Sequence, residues 1–181
     1  MGTSTNSDDL VKRFSFRPLT TADLPLLHNW VARPHWTEWW GDAPSLAEVE
    51  AEYGAWIDNP AKVQPHIALL DDGPFGYIQS YVAMGSGGGW WASETDPGVR
   101  GIDQSIADAA DLGRGLGTAM VTAFVAKLFT DPGVTHIQTD PDPRNTRAIR
   151  CYEKSGFRAT GEVLTPDGAA LLMICRRPAQ T

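Results

Sequence analysis

Apolar and polar residues alternate through FSFRPLT, residues 14–20, with the two-residue period of a half-buried strand. Thr20 or Thr21 then offers a hydroxyl to cap the helix ADLPLLHNWV, in which Pro25 sits near the tolerant first turn. Ser45 and Glu48 stand at capping-box spacing ahead of a second helix, LAEVEAEYGAWI. PHIALL and FGYIQSYVAM are β-rich runs on either side of DDGP, which predicts an antiparallel hairpin. GSGGG breaks the chain, VRGIDQSIA reads as another strand, and TAMVTAFVAKLF carries apolar residues at helical spacing. VTHIQTD predicts a short strand, RNTRAIRCYEKSGF a helix closed by Gly156, and GEVLTPDGAALLMICRR a last hairpin around PDG. The predicted order β-α-α-β-β-β-α-β-α-β-β is an α/β (α+β) fold, a mixed sheet flanked by helices. Residues 13–178 are assigned to one domain and residues 1–12 to a flexible tail, since 181 residues suit a single core.

Charge narrows the partners. Acidic residues outnumber basic ones by 22 to 15, a formal net charge of −7, and no Lys/Arg block forms a positive stripe. Nucleic acid is therefore not an expected partner, because phosphate contacts need such a stripe. An acidic surface attracts polycations, although it equally serves solubility alone. The start, MGTSTNSDDLVKRF, lacks the basic and apolar regions of a signal peptide, and Asn6 stands where a myristoylation pattern has Ser or Thr. No window approaches the roughly 18 apolar residues of a membrane span, so a cytoplasmic protein without membrane contact is expected. In that reducing compartment Cys151 and Cys175 are expected as small buried hydrophobes. His28, His35, His66 and His136 fall in no metal-ligand spacing, and no metal is expected.

DLGRGLGTAM, residues 111–120, joins a predicted strand to a predicted helix. Unpaired N–H groups at a helix start, the helix dipole and side-chain-free glycines together make an anion site. A P-loop would end in GK[ST], whereas Gly117-Thr118 lacks the lysine. A dinucleotide loop would read G-x-G-x-x-G at the first βα turn; here the spacing is G-x-G-x-G, late in the order. A tight turn without ligand is the alternative.

The element order with this loop resembles the GNAT acetyltransferases, whose [RQ]-x-x-G-x-[GA] loop opens the central helix and holds the pyrophosphate of acetyl-CoA on backbone N–H groups. The resemblance implies a mixed sheet with strands splayed to admit acetyl-CoA as co-substrate. It places Arg114, Gly115, Leu116, Gly117 and Thr118 around the pyrophosphate. The signature's Arg/Gln position falls on Leu112, and Arg114 is expected to supply the missing charge. Longer segments are more specific. TEWWGD, PFGYIQSYVAMGSGGGWW, ETDPGVRGIDQSIADA, LGRGLGT, IQTDPDPRNTRAIRCYEKSGF and TPDGAA resemble, nearly in register over residues 14–175, the aminoglycoside 6'-N-acetyltransferases.

That resemblance implies acetyl transfer from acetyl-CoA to the 6'-amine of an aminoglycoside, a small polycation, by direct attack in a ternary complex. Asp103 matches the family's base and amine anchor, and a carboxylate suits an amine that must lose a proton. Asp140 resembles a second substrate-binding carboxylate; its alternative role is to cap the turn at Pro141. Tyr152 matches the superfamily's general acid, with a core aromatic as its alternative. Asn145 matches a contact to the pantetheine arm, and backbone N–H groups of Ser105, Ile106 and Ala107 are expected to polarise the thioester carbonyl. Trp40, Trp90 and Trp91 are expected to wall the substrate pocket from loop-rich surroundings, and Gln79 to bond a sugar hydroxyl. Asp167 is either a Pro-Asp-Gly turn residue or an acidic contact to an outlying amine. A monomer is expected, with a dimer as the alternative. Two other functions stay open: a GNAT enzyme for another amine, such as a polyamine or protein N-terminus, and a non-catalytic module that binds acyl-CoA or the antibiotic.

Overall fold

Among the described residues, seven strands form one mixed sheet in the order β1-β2-β3-β4-β5-β7-β6. They are β1 (Phe14–Pro18), β2 (Val63–Leu70), β3 (Gly73–Val82), β4 (Arg100–Ile106), β5 (His136–Thr139), β6 (Arg158–Thr165) and β7 (Gly168–Arg176). The helices are α1 (Ser7–Val11), α2 (Leu24–Val31), α3 (Pro34–Trp40), α4 (Leu46–Asp58), α5 (Leu116–Leu128) and α6 (Thr146–Lys154). The structure is a computed structural model that describes residues 7–178.

Most of the predicted punctuation does what its chemistry requires. Ser45 and Glu48 form the reciprocal cap of α4, with the Glu48 N–H donating to the Ser45 hydroxyl at 3.3 Å. Thr20 and Asp23 form a second such box at the 3-10 turn that leads into α2. Arg17 on β1 donates two 2.7 Å bonds to Asp23, and holds that carboxyl down at about 2. The β2–β3 turn places Asp71 and Asp72 at φ 49° and 66°, the left-handed conformation that aspartate tolerates in a tight hairpin.

Two stretches differ from expectation. Within the predicted tail, Ser7–Val11 is helical, and Leu10 and Val11 pack against the main core; residues 1–6 of that tail lie outside the described residues. The HWTEWW cluster, expected in a loop, lies in α3, which Pro34 starts with its fixed φ while Arg33 stays extended. Trp36 on that helix is fully buried and belongs to the core.

Strand alternation sends β3 and β4 side chains into two cores. Ile78, Ile102 and Ile106 pack with Met120 and Phe124 of α5 and Tyr152 of α6. On the opposite face Tyr77 and Ala107 pack with Trp36 of α3, Leu27 and Trp30 of α2, and Tyr53 of α4. Strands β4 and β5 run parallel but pair only at Arg100↔Ile137 and Gly101↔Gln138. Beyond that point they separate, and the sequence gives the reason. Pro141 and Pro143, two and four residues after Thr139, have no N–H to donate, so β5 does not extend along β4.

Candidate active site

The gap between β4 and β5 opens a cleft of about 1110 Å³. One end is the glycine loop. Gly113 and Gly115 take φ of 74° and 80°, left-handed values that a side chain would strain. The first intrahelical bond of α5 runs from Ala119 N–H to Gly115 C=O at 3.1 Å, and no side chain caps the helix. The N–H groups of Leu116, Gly117 and Thr118 therefore have no acceptor in their own helix, and Gly115, Gly117 and Thr118 line the cleft. A Cβ on Gly117 would come within 3.2 Å of Ile106 Cδ1, close enough that the isoleucine tip would have to give by a few tenths of an ångström. Donors, dipole and bare backbone fit the diphosphate of a coenzyme A ligand.

Two members of the predicted cradle direct their side chains elsewhere, which leaves the Leu116 N–H free. Leu116 packs its side chain against the core. Arg114 is exposed and donates to Asp111 at 2.9 Å, so its guanidinium does not replace the charge that Leu112 lacks. Leu112 itself packs on the core and forms part of the cleft wall.

Strand register also corrects the carbonyl-polarising backbone. Ala107 donates its N–H to Phe75 C=O at 2.9 Å, and pairs alternate from there, so Ser105 and Ala107 direct their N–H groups to β3. Gln104 and Ile106 direct theirs to the open side. The Ile106 carbonyl is taken by His35 Nε2 at 2.8 Å and by Trp36 Nε1 at 2.9 Å.

Asp103, Asp140 and Tyr152 all line the cleft. Burial pushes the Asp103 carboxyl above its ordinary range, and a 2.8 Å bond from Gln79 Nε2 pulls it partly back. Asp140 follows β5 and is pushed up to about 7, first by burial, then by the charges of Asp103 and Asp167. Tyr152 sits under Phe157 on α6; burial raises its hydroxyl, against bonding from Thr139 and Gln104, so it remains a proton donor at neutral pH. Asn145 is the N-cap of α6, its Oδ1 accepting from Ala148 N–H at 3.0 Å, and it also lines the cleft.

The far end is aromatic. Trp40 is 43 % exposed, rests on Trp36 at 5.2 Å between ring centroids, and walls the cleft together with Trp90. Trp91 does not reach this wall. It borders a neighbouring cavity of about 400 Å³, and its Nε1 donates to the Tyr81 hydroxyl at 3.1 Å. Gln79 is 8 % exposed, and its amide already serves Tyr77 and Asp103, which removes it from the sugar-binding role expected for it. Asp167 is exposed on the β6–β7 turn at the cleft rim, where turn chemistry and a substrate contact are compatible. Sequence reading missed Tyr81, Gln104 and Thr139, all of which line the cleft. The signal for Tyr81 was its place two residues beyond Gln79, on the same strand face.

Cys151 and Cys175 are free thiols. Among the described residues no group of three or more His, Cys, Asp or Glu could hold a metal ion, and no helix is long and apolar enough to cross a membrane.

A sheet split beside a glycine-loop helix defines an acyltransferase architecture, and the family described as "Acetyltransferase (GNAT) domain" matches residues 20–165. Aminoglycoside N(6')-acetyltransferase type 1 of Klebsiella pneumoniae is 54% identical over 178 residues, which cover 97% of this chain and 87% of that protein. A kanamycin resistance protein of Rhizobium radiobacter is 64% identical over 92 residues, covering 51% of this chain and 85% of its own length. A crystal structure of the aminoglycoside acetyltransferase AAC(6')-Ib in complex with coenzyme A superposes with a TM-score of 0.87 at 55% identity, covering 91% of this chain and 95% of that one. The chain belongs to the GNAT acetyltransferases and, within them, to the aminoglycoside 6'-N-acetyltransferases.

Proposed function

We propose that the protein transfers the acetyl group of acetyl-CoA to the 6'-amino group of aminoglycosides by direct attack in a ternary complex, and so inactivates the drug. The observation that carries this reading is the pair Asp103 and Asp140 in one cleft, rimmed by Asp167 and walled by Trp40 and Trp90. Three carboxylates suit a ligand bearing several ammonium groups, and indoles suit sugar rings. The type 1 enzyme of Klebsiella pneumoniae and a solved complex of AAC(6')-Ib with coenzyme A and kanamycin support the same substrate class.

Acetyl-CoA, when bound, supplies an activated acyl thioester. The free N–H groups of Leu116, Gly117 and Thr118 would hold its diphosphate, and those of Gln104 and Ile106 would polarise the carbonyl under attack. Asp103 anchors the substrate ammonium and takes its proton, directly or through water. Asp140, poised at about 7, accepts or shares a proton at neutral pH. The Tyr152 O–H donates to the departing sulfur. The product amide has lost one positive charge, which weakens binding of the drug to RNA phosphates. A cytoplasmic monomer is our reading of location and assembly.

A thiol-release assay tests this with kanamycin, tobramycin, polyamines and peptide N-termini as acceptors. Turnover is expected with the drugs, and Asp103→Asn should lower kcat/KM at least tenfold, about 1.4 kcal/mol of transition-state stabilisation. Consumption of acetyl-CoA with polyamines or peptides but never with kanamycin would sink the assignment.

A further inference from the structure

Tyr77, Gln79 and Tyr81 occupy alternate positions on one face of β3, and Asp103 stands directly across from Gln79 on β4. The Tyr77 hydroxyl donates to Gln79 Oε1 at 2.5 Å, and Gln79 Nε2 donates to Asp103 Oδ2 at 2.8 Å. Tyr77 has no exposure at all; Trp36, Trp40 and Tyr53 surround its ring at centroid distances of 6.3, 6.2 and 5.5 Å. We propose that Tyr77, which lies outside the cleft, acts through Gln79 as the positioning residue for the Asp103 carboxylate. The inference rests on Asp103 serving the acyl transfer proposed above.

Hydrogen-bond polarity links Tyr77 to Asp103. A primary amide has a donor end and an acceptor end of nearly equal shape, so packing does not decide which end faces Asp103. The buried phenol of Tyr77 biases it, because a reversed amide would take away the acceptor of its O–H. Its O–H donates to the amide oxygen, which turns the amide N–H toward Asp103 and stabilises the ionised form of that carboxyl. With the amide reversed, its carbonyl would face Asp103, an arrangement compatible only with a protonated carboxyl. Tyr77 itself stays neutral, because burial raises its ionisation well above the ordinary value. The chain of bonds also occupies Oδ2 and leaves Oδ1 as the oxygen for the substrate amine.

Several other titratable groups face Asp103. They are Asp140 after β5, Tyr81 on β3, Tyr152 on α6 and Tyr53 on α4, with Glu52 acting on Tyr53 and Tyr77. Burial moves the tyrosines upward, so Asp140 is the group among them that titrates near neutrality. A direct readout of Asp103 is therefore needed beside the activity profile.

The test is a carbon-13 NMR titration of aspartate carboxyls in the ligand-free protein, with the Asp103 signal assigned by its absence in Asp103→Asn. In Tyr77→Phe, which removes one hydroxyl, Asp103 should protonate at higher pH than in the parent, by about half a unit or more. With kanamycin as acceptor, kcat/KM near neutrality should fall about three- to tenfold and its acid limb move to higher pH, while KM for acetyl-CoA is unchanged. Gln79→Met is the second variant. If Tyr77 acts through Gln79, Tyr77→Phe shifts the Asp103 titration no further in the Gln79→Met background. Superimposable titrations of parent and Tyr77→Phe, or additive shifts in the double variant, would overturn the proposal. Because the titration needs no substrate, inactivity toward kanamycin would refute the proposed function and leave this result readable.

Discussion

Trp91 donates its indole N–H to the hydroxyl of Tyr81 at 3.1 Å. Tyr81 lines the cleft and Trp91 does not, so an indole that resemblance assigns to the substrate instead braces an aromatic of the cleft lining. Trp91 holds this position at φ 49°, a left-handed conformation uncommon outside glycine. Its neighbour Trp90 is thereby turned into the cleft wall, with 6.2 Å between the two ring centroids.

Replacing that brace gives the first expectation. Trp91→Phe removes one neutral hydrogen bond, worth about 0.5–1.5 kcal/mol, or roughly a twofold to twelvefold change in an equilibrium. The KM for kanamycin should rise by that factor while the KM for acetyl-CoA stays constant. Steady-state kinetics with each substrate varied in turn decides it, and parallel rises in both constants would contradict a local brace.

Gly101 supports the same ring from below. A Cβ built on Gly101 would overlap the ring and hydroxyl of Tyr81, which lies across the β3–β4 pairing. Overpacking of this kind costs about 1–3 kcal/mol. Gly101→Ala should therefore lower the melting temperature by roughly 2–12 °C, at about 2–4 °C per kcal/mol for a chain of this size. Its loss of kcat/KM should exceed that of Trp91→Phe, since the overlap falls on the ring of Tyr81 itself, which lines the cleft. A thermal melt unchanged from the parent would show that the strand pair yields more easily than the close approach implies.

The local chemistry of the chain was readable because each signal is complete within a few residues. Ser45 with Glu48, the Asp71-Asp72 turn, Gly156 after α6 and the glycine loop before α5 all act where they stand. The roles that were misassigned depend on register between distant segments. Gln79 reads as a free polar side chain until β3 is aligned on β4, when Asp103 falls opposite it. Trp36 and Trp40 share an i,i+4 spacing, yet one is fully buried and the other 43 % exposed, because α3 runs from the core to the cleft edge. Arg114 belongs to Asp111, three residues away on the surface, which a signature written for the loop alone does not show.

The cradle itself is tested at Gly115. Its φ of 80° is left-handed, where a non-glycine residue costs roughly 1–2 kcal/mol. Nothing lies within 4 Å of a Cβ placed there, so the strain acts through the backbone that starts α5 and not through a clash. Gly115→Ala should therefore raise the KM for acetyl-CoA about fivefold or more and leave the KM for kanamycin unaffected. An effect on the drug alone would place the nucleotide elsewhere.

Proton uptake and release distinguish the two carboxylates. The folded-state value of Asp140, about 7, lies above the ordinary 3.8 of an aspartate. Between those two values the folded protein holds a proton that the unfolded chain has lost. The stability tied to Asp140 is thus full below about pH 4 and is lost as pH rises through about 7. An ammonium placed beside Asp140 reverses the preference, because it favours the ionised carboxylate. Binding of kanamycin at about pH 6 should consequently expel up to about one more proton from the parent than from Asp140→Asn. The difference should vanish above about pH 8, where the carboxylate is already ionised. Calorimetric titrations in two buffers of different ionisation enthalpy measure the released protons, and taking the difference between proteins cancels the drug's own titration. Equal proton release from both proteins at low pH would mean that Asp140 does not meet the substrate's charge.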